Sequence, residues 1–104
     1  MKLLIVTCLK EYQQITAKIF EQAGITVFSV SETVGFKGND GGNPMDSWFS
    51  AGREHFNSVF LFSFTTSEGA ESAMKGILAY NTENKTGFPI RAFIVPVEKA
   101  SYKL

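Results

Sequence analysis

The segment "ITVFSVSETVGFKGNDGGNPMDSWFSAGREHFNSVFLFSFTT", residues 25–66, holds two strand-like runs with no helical period between them. The first, "ITVFSVSETVG" at 25–35, is dense in β-branched and aromatic residues. The last, "SVFLFSFTT" at 58–66, sets Val59, Leu61 and Ser63 against Phe60, Phe62 and Phe64, the two-residue period of a strand. Glycine and asparagine fill the stretch from about 37 to 56, which reads as a flexible loop. The middle of the chain is therefore a strand–loop–strand step.

Outward from that step, each flank carries one helix and one further strand. Upstream, "KEYQQITAKIFEQAG" at 10–24 repeats Tyr12, Ile15, Ile19 and Ala23 at helical spacing, with Gly24 where a left-handed residue ends a helix. Before it, "KLLIVTC" at 2–8 is a short apolar run that fits a strand buried on both faces. Downstream, Thr65 to Ser67 offer N-caps, and "EGAESAMKGILAYN" at 68–81 lines up Ala70, Ala73 or Met74, Ile77 and Leu78 on a second helical stripe. A turn-rich connector, "NTENKTG", precedes "FPIRAFIVPV" at 88–97, the fourth strand. The order β-α-β-β-α-β is the ferredoxin-like α+β plan, with a four-stranded antiparallel sheet and two helices on one face. Pro96 suits an edge strand, where a missing ladder donor is tolerated.

At 104 residues with 44% hydrophobic content, residues 1–104 predict a single domain with one modest core. Ten basic residues balance ten acidic ones, so the general attraction to phosphate backbones is absent and nonspecific nucleic-acid binding is not expected. A lone cysteine makes no internal disulfide, and "LLIV" is too short to insert in a membrane, so a soluble, cytoplasmic protein is expected. Two helices cover only one sheet face, yet Leu3 and Ile5 alternate with Leu4 and Val6. The second face then needs cover, either from another copy of the chain or from its own long loops.

No catalytic set assembles from the sequence. His55 is the only histidine, nothing in the pattern brings Cys8 to it, and Cys8 reads as a small buried hydrophobe. Asp40, Asp46, Glu54 and His55 are metal-ligand types, but their spacing fits no EF-hand or zinc pattern. "TCLKEY" lacks the arginine of an acylphosphatase-like phosphate cradle, and "SVFLFSFTT" lacks the basic residues of an RNA-binding strand, so its phenylalanines read as core. "GFKGNDGG" remains. Its glycines and Lys37 would suit an anion cradle and would equally suit a hinge.

"AGITVFSVSETVGFKG", residues 23–38, resembles the strand that leads into the T-loop of the PII signalling proteins, and Val30 to Phe36 carry the most specific part of the likeness. The element order, the "AGREHF" run and "FIVPVEK" fall in the same register. In "NKTGFPIR" the chain keeps Thr86 and Gly87 of that family's second phosphate loop, with Arg91 in place of its lysine. It has no counterpart of the C-terminal arginines and no tyrosine between 37 and 56, and so is similar to a divergent PII-like relative. The resemblance implies a non-enzymatic homotrimer with no obligatory cofactor. It implies a small anionic ligand, such as an adenine nucleotide, in inter-subunit clefts at Ser29, Gly35, Phe36, Lys37, Gly38, Thr86, Gly87 and Arg91. It further implies that the loop controls a partner such as a membrane transporter through Trp48, Phe49, Arg53 and His55. The alternatives are a divalent-metal binder similar to the CutA branch of the same architecture, and a dimeric ferredoxin-like α+β-barrel enzyme.

Overall fold

A computed structural model describes residues 1–37 and 54–104. Strand β1 (Lys2–Leu9) runs through a short 3-10 turn (Lys10–Tyr12) into helix α1 (Gln13–Gln22), followed by β2 (Ser29–Lys37), β3 (Glu54–Thr65), α2 (Ser67–Glu83) and β4 (Arg91–Pro96). The strands form one four-stranded sheet in the order β2-β3-β1-β4, and every neighbouring pair is antiparallel. This is the ferredoxin-like α+β arrangement expected from the element order. β4 lies at an edge, and Pro96 is its last residue, opposite Lys2.

Both helices pack on one face, and the strand alternation shows which. Leu4, Val6 and Cys8 of β1 and Val59, Leu61 and Ser63 of β3 are buried with Phe20 of α1 and Ala73 and Ile77 of α2. Thr16 and Phe20 complete the inner side of α1, beyond the stripe legible in the sequence. On α2 the buried positions are Gly69, Ala70, Ala73 and Ile77. Leu78, counted with them on sequence, is 58% exposed. At about 100° per residue it stands a quarter turn or more from Ile77 and leaves the inner stripe.

Among the described residues, no helix covers the opposite face. Leu3 pairs with Phe64 and Val95, and Ile5 pairs with Phe62 and Phe93. Phe60, Phe62 and Phe64 thus lie on this side, not in the core where the sequence reading put them. They obey the same alternation as Val59 and Leu61 but face away from the helices. Phe64 and Phe93 are 44% and 54% exposed.

Three element boundaries move for local reasons. The expected strand at 25–35 begins only at Ser29. Gly24, at φ 82°, donates its amide to Glu21 O, and the Ile25 amide reaches Phe20 O at 2.9 Å, which is a Schellman helix end. The Val27 carbonyl accepts from the Ser63 hydroxyl at 2.7 Å, so this segment turns over the core before joining the ladder. At the other end the β2–β3 ladder continues through Val34–Asn57, Gly35–Phe56, Phe36–His55 and Lys37–Glu54, past the Leu9–Ser58 pair where β1 stops. The connection between the two strands is therefore shorter at both ends than the 37–56 read from composition. Finally, the fourth strand begins at Arg91 and not at Phe88. Asn81 donates to Ile90 O and accepts from Ile90 N, at 2.8 and 3.0 Å, taking both backbone groups from the ladder. The expected mobility of the connection concerns residues outside those described.

Candidate functional site

The hairpin stem that outruns β1 leaves a recess at the end of the sheet. Leu9 and Thr7 of β1, Phe56 and Ser58 of β3 and Arg91 of β4 alternate with residues that face the helices, so they point to the uncovered side. The α2–β4 connector supplies the remaining wall through Gly87, Phe88 and Pro89, and Phe36 closes the stem end. Together they enclose an open cavity of about 390 Å³, within the usual range for small-molecule sites.

Local chemistry fixes each wall. Thr86 Oγ1 accepts from the Phe88 amide at 3.0 Å, a short hydroxyl turn that sets the direction of the chain through Phe88. Asn81 ties Ile90 to α2 from both sides, which holds the end of the connector against the sheet. The Phe88 ring meets the Phe56 ring edge-on, with centroids 5.0 Å apart and planes at 62°, a favourable aromatic geometry. Phe56 in turn lies across Gly35: a Cβ there would overlap ring atoms Cε2 and Cζ. Gly35 is not at positive φ, so glycine serves space at this position and not backbone conformation.

The polar content is sparse and well separated. Arg91 is exposed and brings a guanidinium, and the hydroxyls of Thr7 and Ser58 stand on the adjoining strands. Ser58 is also engaged with Thr33, hydroxyl to hydroxyl at 2.6 Å. Cys8 touches the recess but is 6% exposed, and its Sγ lies 3.6 Å from Thr16 Oγ1 beneath α1. Burial pushes its thiol pKa up, with the Thr16 contact opposing that shift. A protonated, enclosed thiol is a poor nucleophile. What the recess can do is bind: aromatic walls on two sides, a guanidinium, and neutral hydroxyl groups.

Of the residues anticipated from sequence, the structure brings Phe36, Gly87 and Arg91 to this cavity. Gly35 stands just behind it under Phe56, and Thr86 acts on Phe88 from outside. Lys37 is the last residue of β2, opposite Glu54. Ser29 is at the far end of the same strand, opposite Phe62, roughly 20 Å from Gly35 at ordinary strand rise, and does not line the cavity. His55 is exposed, with its ring 6.4 Å from that of Phe36. Gly38, Trp48, Phe49 and Arg53 lie outside the described residues. Among the described residues no three histidine, cysteine, aspartate or glutamate side chains come together as a metal site, and Asp40 and Asp46 are not among them. Nor, among the described residues, is any helix long and apolar enough to cross a membrane.

Phe56, Phe88 and Asn81 were missed on sequence. Phe56 belonged to a run read as loop, and Phe88 to a run read as strand. The usable signal was the pairing of a β-strand glycine with an aromatic on the facing strand, which register alone reveals. No protein-family model matches the chain, and no curated protein matches it.

Proposed function

We propose that the chain is a homotrimeric regulatory protein of the PII-like type, without catalytic turnover, that binds a small anionic ligand at the recess described above and controls a partner protein. The observation that carries this reading is the position of the cavity. It opens at the end of the sheet, and Thr7, Leu9, Phe56, Ser58 and Arg91 of its lining belong to the uncovered side, where Thr7 neighbours both Arg91 and Phe60. A second copy covering Phe60, Phe62, Phe64 and Phe93 would also wall the recess, so the ligand would sit between subunits.

The apolar character of the open face, more than its extent, supports association: Phe64, Phe93 and Val95 all stay exposed on it. A stable interface buries about 800 Å² on each partner, somewhat more than half of it apolar. Phe64 and Phe93, each roughly half exposed, leave about 200 Å² of aromatic surface open between them. The trimeric number, an adenine nucleotide as ligand and a membrane transporter as partner come from the PII resemblance. The β2–β3 connection, with Trp48 and Phe49, is the segment assigned to the partner, because aromatic residues dominate interface energetics.

The test combines two measurements on the purified chain. Light scattering should give a trimer at micromolar concentration, and calorimetric titration with ATP, ADP, AMP, cyclic dinucleotides and divalent metals should show saturable binding of at least one nucleotide. A stable monomer removes the inter-subunit site. A dimer points to the barrel-type alternative, and binding of metals without nucleotides to the CutA-like one.

A further inference from the structure

The outer part of the β2–β3 stem is thinly held. Past the Leu9–Ser58 pair where β1 stops, Val34–Asn57, Gly35–Phe56, Phe36–His55 and Lys37–Glu54 form a two-stranded ribbon, with no third strand paired to it among the described residues. Such ribbons have little stability of their own. Val34, Phe36, His55 and Asn57 are exposed, whereas Gly35 and Phe56 are partly covered. The Phe56 ring is held by two segments: it lies across the bare backbone of Gly35, and it meets the Phe88 ring with centroids 5.0 Å apart. Phe88 comes from the α2–β4 connector, where residues 84–87 and Pro89 are exposed and Phe88 alone is drawn inward.

That connector is fastened at both ends. Asn84 donates its backbone amide and its side-chain Nδ2 to Tyr80 O, at 2.9 and 3.0 Å, and Asn81 engages both backbone groups of Ile90, at 2.8 and 3.0 Å. Between these anchors Thr86 Oγ1 accepts from the Phe88 amide and sets the direction of that residue. The ribbon has a fixed inner limit as well, because Thr33 and Ser58 bond hydroxyl to hydroxyl at 2.6 Å in the row that Leu9 shares.

We propose that the connector is a strap whose Phe88 latches the ribbon through Phe56, and that release of this latch lets the four outer rows open back to Thr33–Ser58. Opening frees four residues of each strand, Val34 to Lys37 and Glu54 to Asn57, and lengthens the reach of the β2–β3 connection by about 13 Å at ordinary strand rise. The strap thereby sets how far that connection extends. A local opening of this kind has its own free energy, separate from that of the core. The inference stands apart from the ligand reading, because every contact in it belongs to the chain itself.

The experiment is residue-resolved amide exchange on the full chain, comparing the ladder amides of residues 34–37 and 54–57 with those of Leu4, Val6 and Leu61. Phe88→Leu, which keeps an apolar side chain but no ring, should speed exchange in the ribbon about two- to twelvefold, the range of one edge-to-face aromatic pair. Thr33, Ser58 and the β1 amides should keep their protection. Phe88→Tyr should behave as wild type, and Thr86→Val, which removes the acceptor behind Phe88, should speed the same ribbon amides to a smaller extent. Gly35→Ala separates the latch from strand propensity: alanine costs less backbone entropy than glycine in a strand, so faster exchange in that variant reports the displaced Phe56 ring. Combined with Phe88→Leu it should be no faster than the faster single variant, because both act through one ring. Melting curves identify any variant that fails to fold, and Thr86→Val, at an exposed position, supplies the reading in that event. Unchanged ribbon exchange in both Phe88→Leu and Thr86→Val overturns the latch. Exchange that quickens equally in the ribbon and in β1 also overturns it, since the contact would then serve the whole fold and not the stem.

Discussion

Gly76 of α2 faces α1 so closely that a Cβ there would come within 2.8 Å of Ile19 Cγ2. Two effects compete in Gly76→Ala. Alanine is the better helix residue by about 0.5–1 kcal/mol, but overpacking a core contact costs about 1–3 kcal/mol. Ile19 is β-branched and stiff in a helix, so the methyl cannot swing away. The clash should win, and denaturant titration should show a net loss of roughly 1 kcal/mol. In an Ile19→Leu background, where the branch moves outward by one carbon, the same substitution should become neutral or stabilising. Cys8 gives a pH-dependent counterpart. Its folded pKa is raised by burial, so the folded state holds the thiol proton more tightly than the unfolded chain does. The associated stability is fully present below the unfolded thiol pKa and is lost as pH rises towards the folded one. Wild type should therefore lose more stability than Cys8→Ala between neutral pH and about pH 10. Parallel curves for the two proteins would mean that the buried thiol is not what titrates.

Helix α2 separates what its pattern says from what its packing uses. Thr66 caps it, accepting from the Gly69 amide at 3.1 Å, and the buried line runs along Gly69, Ala70, Ala73 and Ile77. Ile77→Ala should cost about 2–5 kcal/mol, and Leu78→Lys less than about 0.5 kcal/mol, although the two leucine-like side chains are adjacent. Similar losses at both positions, measured by thermal or urea unfolding, would misplace the helix rotation. The periodicity of Tyr12, Ile15 and Ile19 and the alternation of Val59, Leu61 and Ser63 made the elements and their order legible, because those patterns are local. The cavity was only partly legible. Phe36, Gly87 and Arg91 entered through the PII resemblance, but Phe56 required the register that sets it opposite Gly35. Asn81 required knowing that the connector folds back onto α2. Neither has a signature in the local periodicity of its own segment.

At the scale of the molecule, the two sheet faces answer different questions. Val59 and Leu61 hold the helices, whereas Phe62 and Phe64 look outward from the same strand. Leu61→Ala should lower unfolding stability by about 2–5 kcal/mol, while Phe62→Asp should leave a helical circular-dichroism spectrum and, on the assembly proposed above, shift sedimentation towards the monomer, since a charge placed in an interface would be left unpaired. A Phe62→Asp protein with unchanged sedimentation would show that this face is not an interface. The strand order also has a temporal side. β1 sits inside the sheet, and its two neighbours, β3 and β4, begin only at Glu54 and Arg91. During synthesis, Leu3 and Ile5 on one side and Leu4 and Val6 on the other emerge roughly fifty residues before β3 and ninety before β4, a delay of several seconds at ordinary translation rates. The β2–β3 hairpin, like the β1–β3 pairing, can form only once β3 has emerged, and until then the N-terminal strand waits unpaired for chain made after it. Such long loops must close before their contacts stabilise anything, so refolding should be slow for a chain of this length, and a nascent chain stalled before β3 should offer its first strand to chaperones.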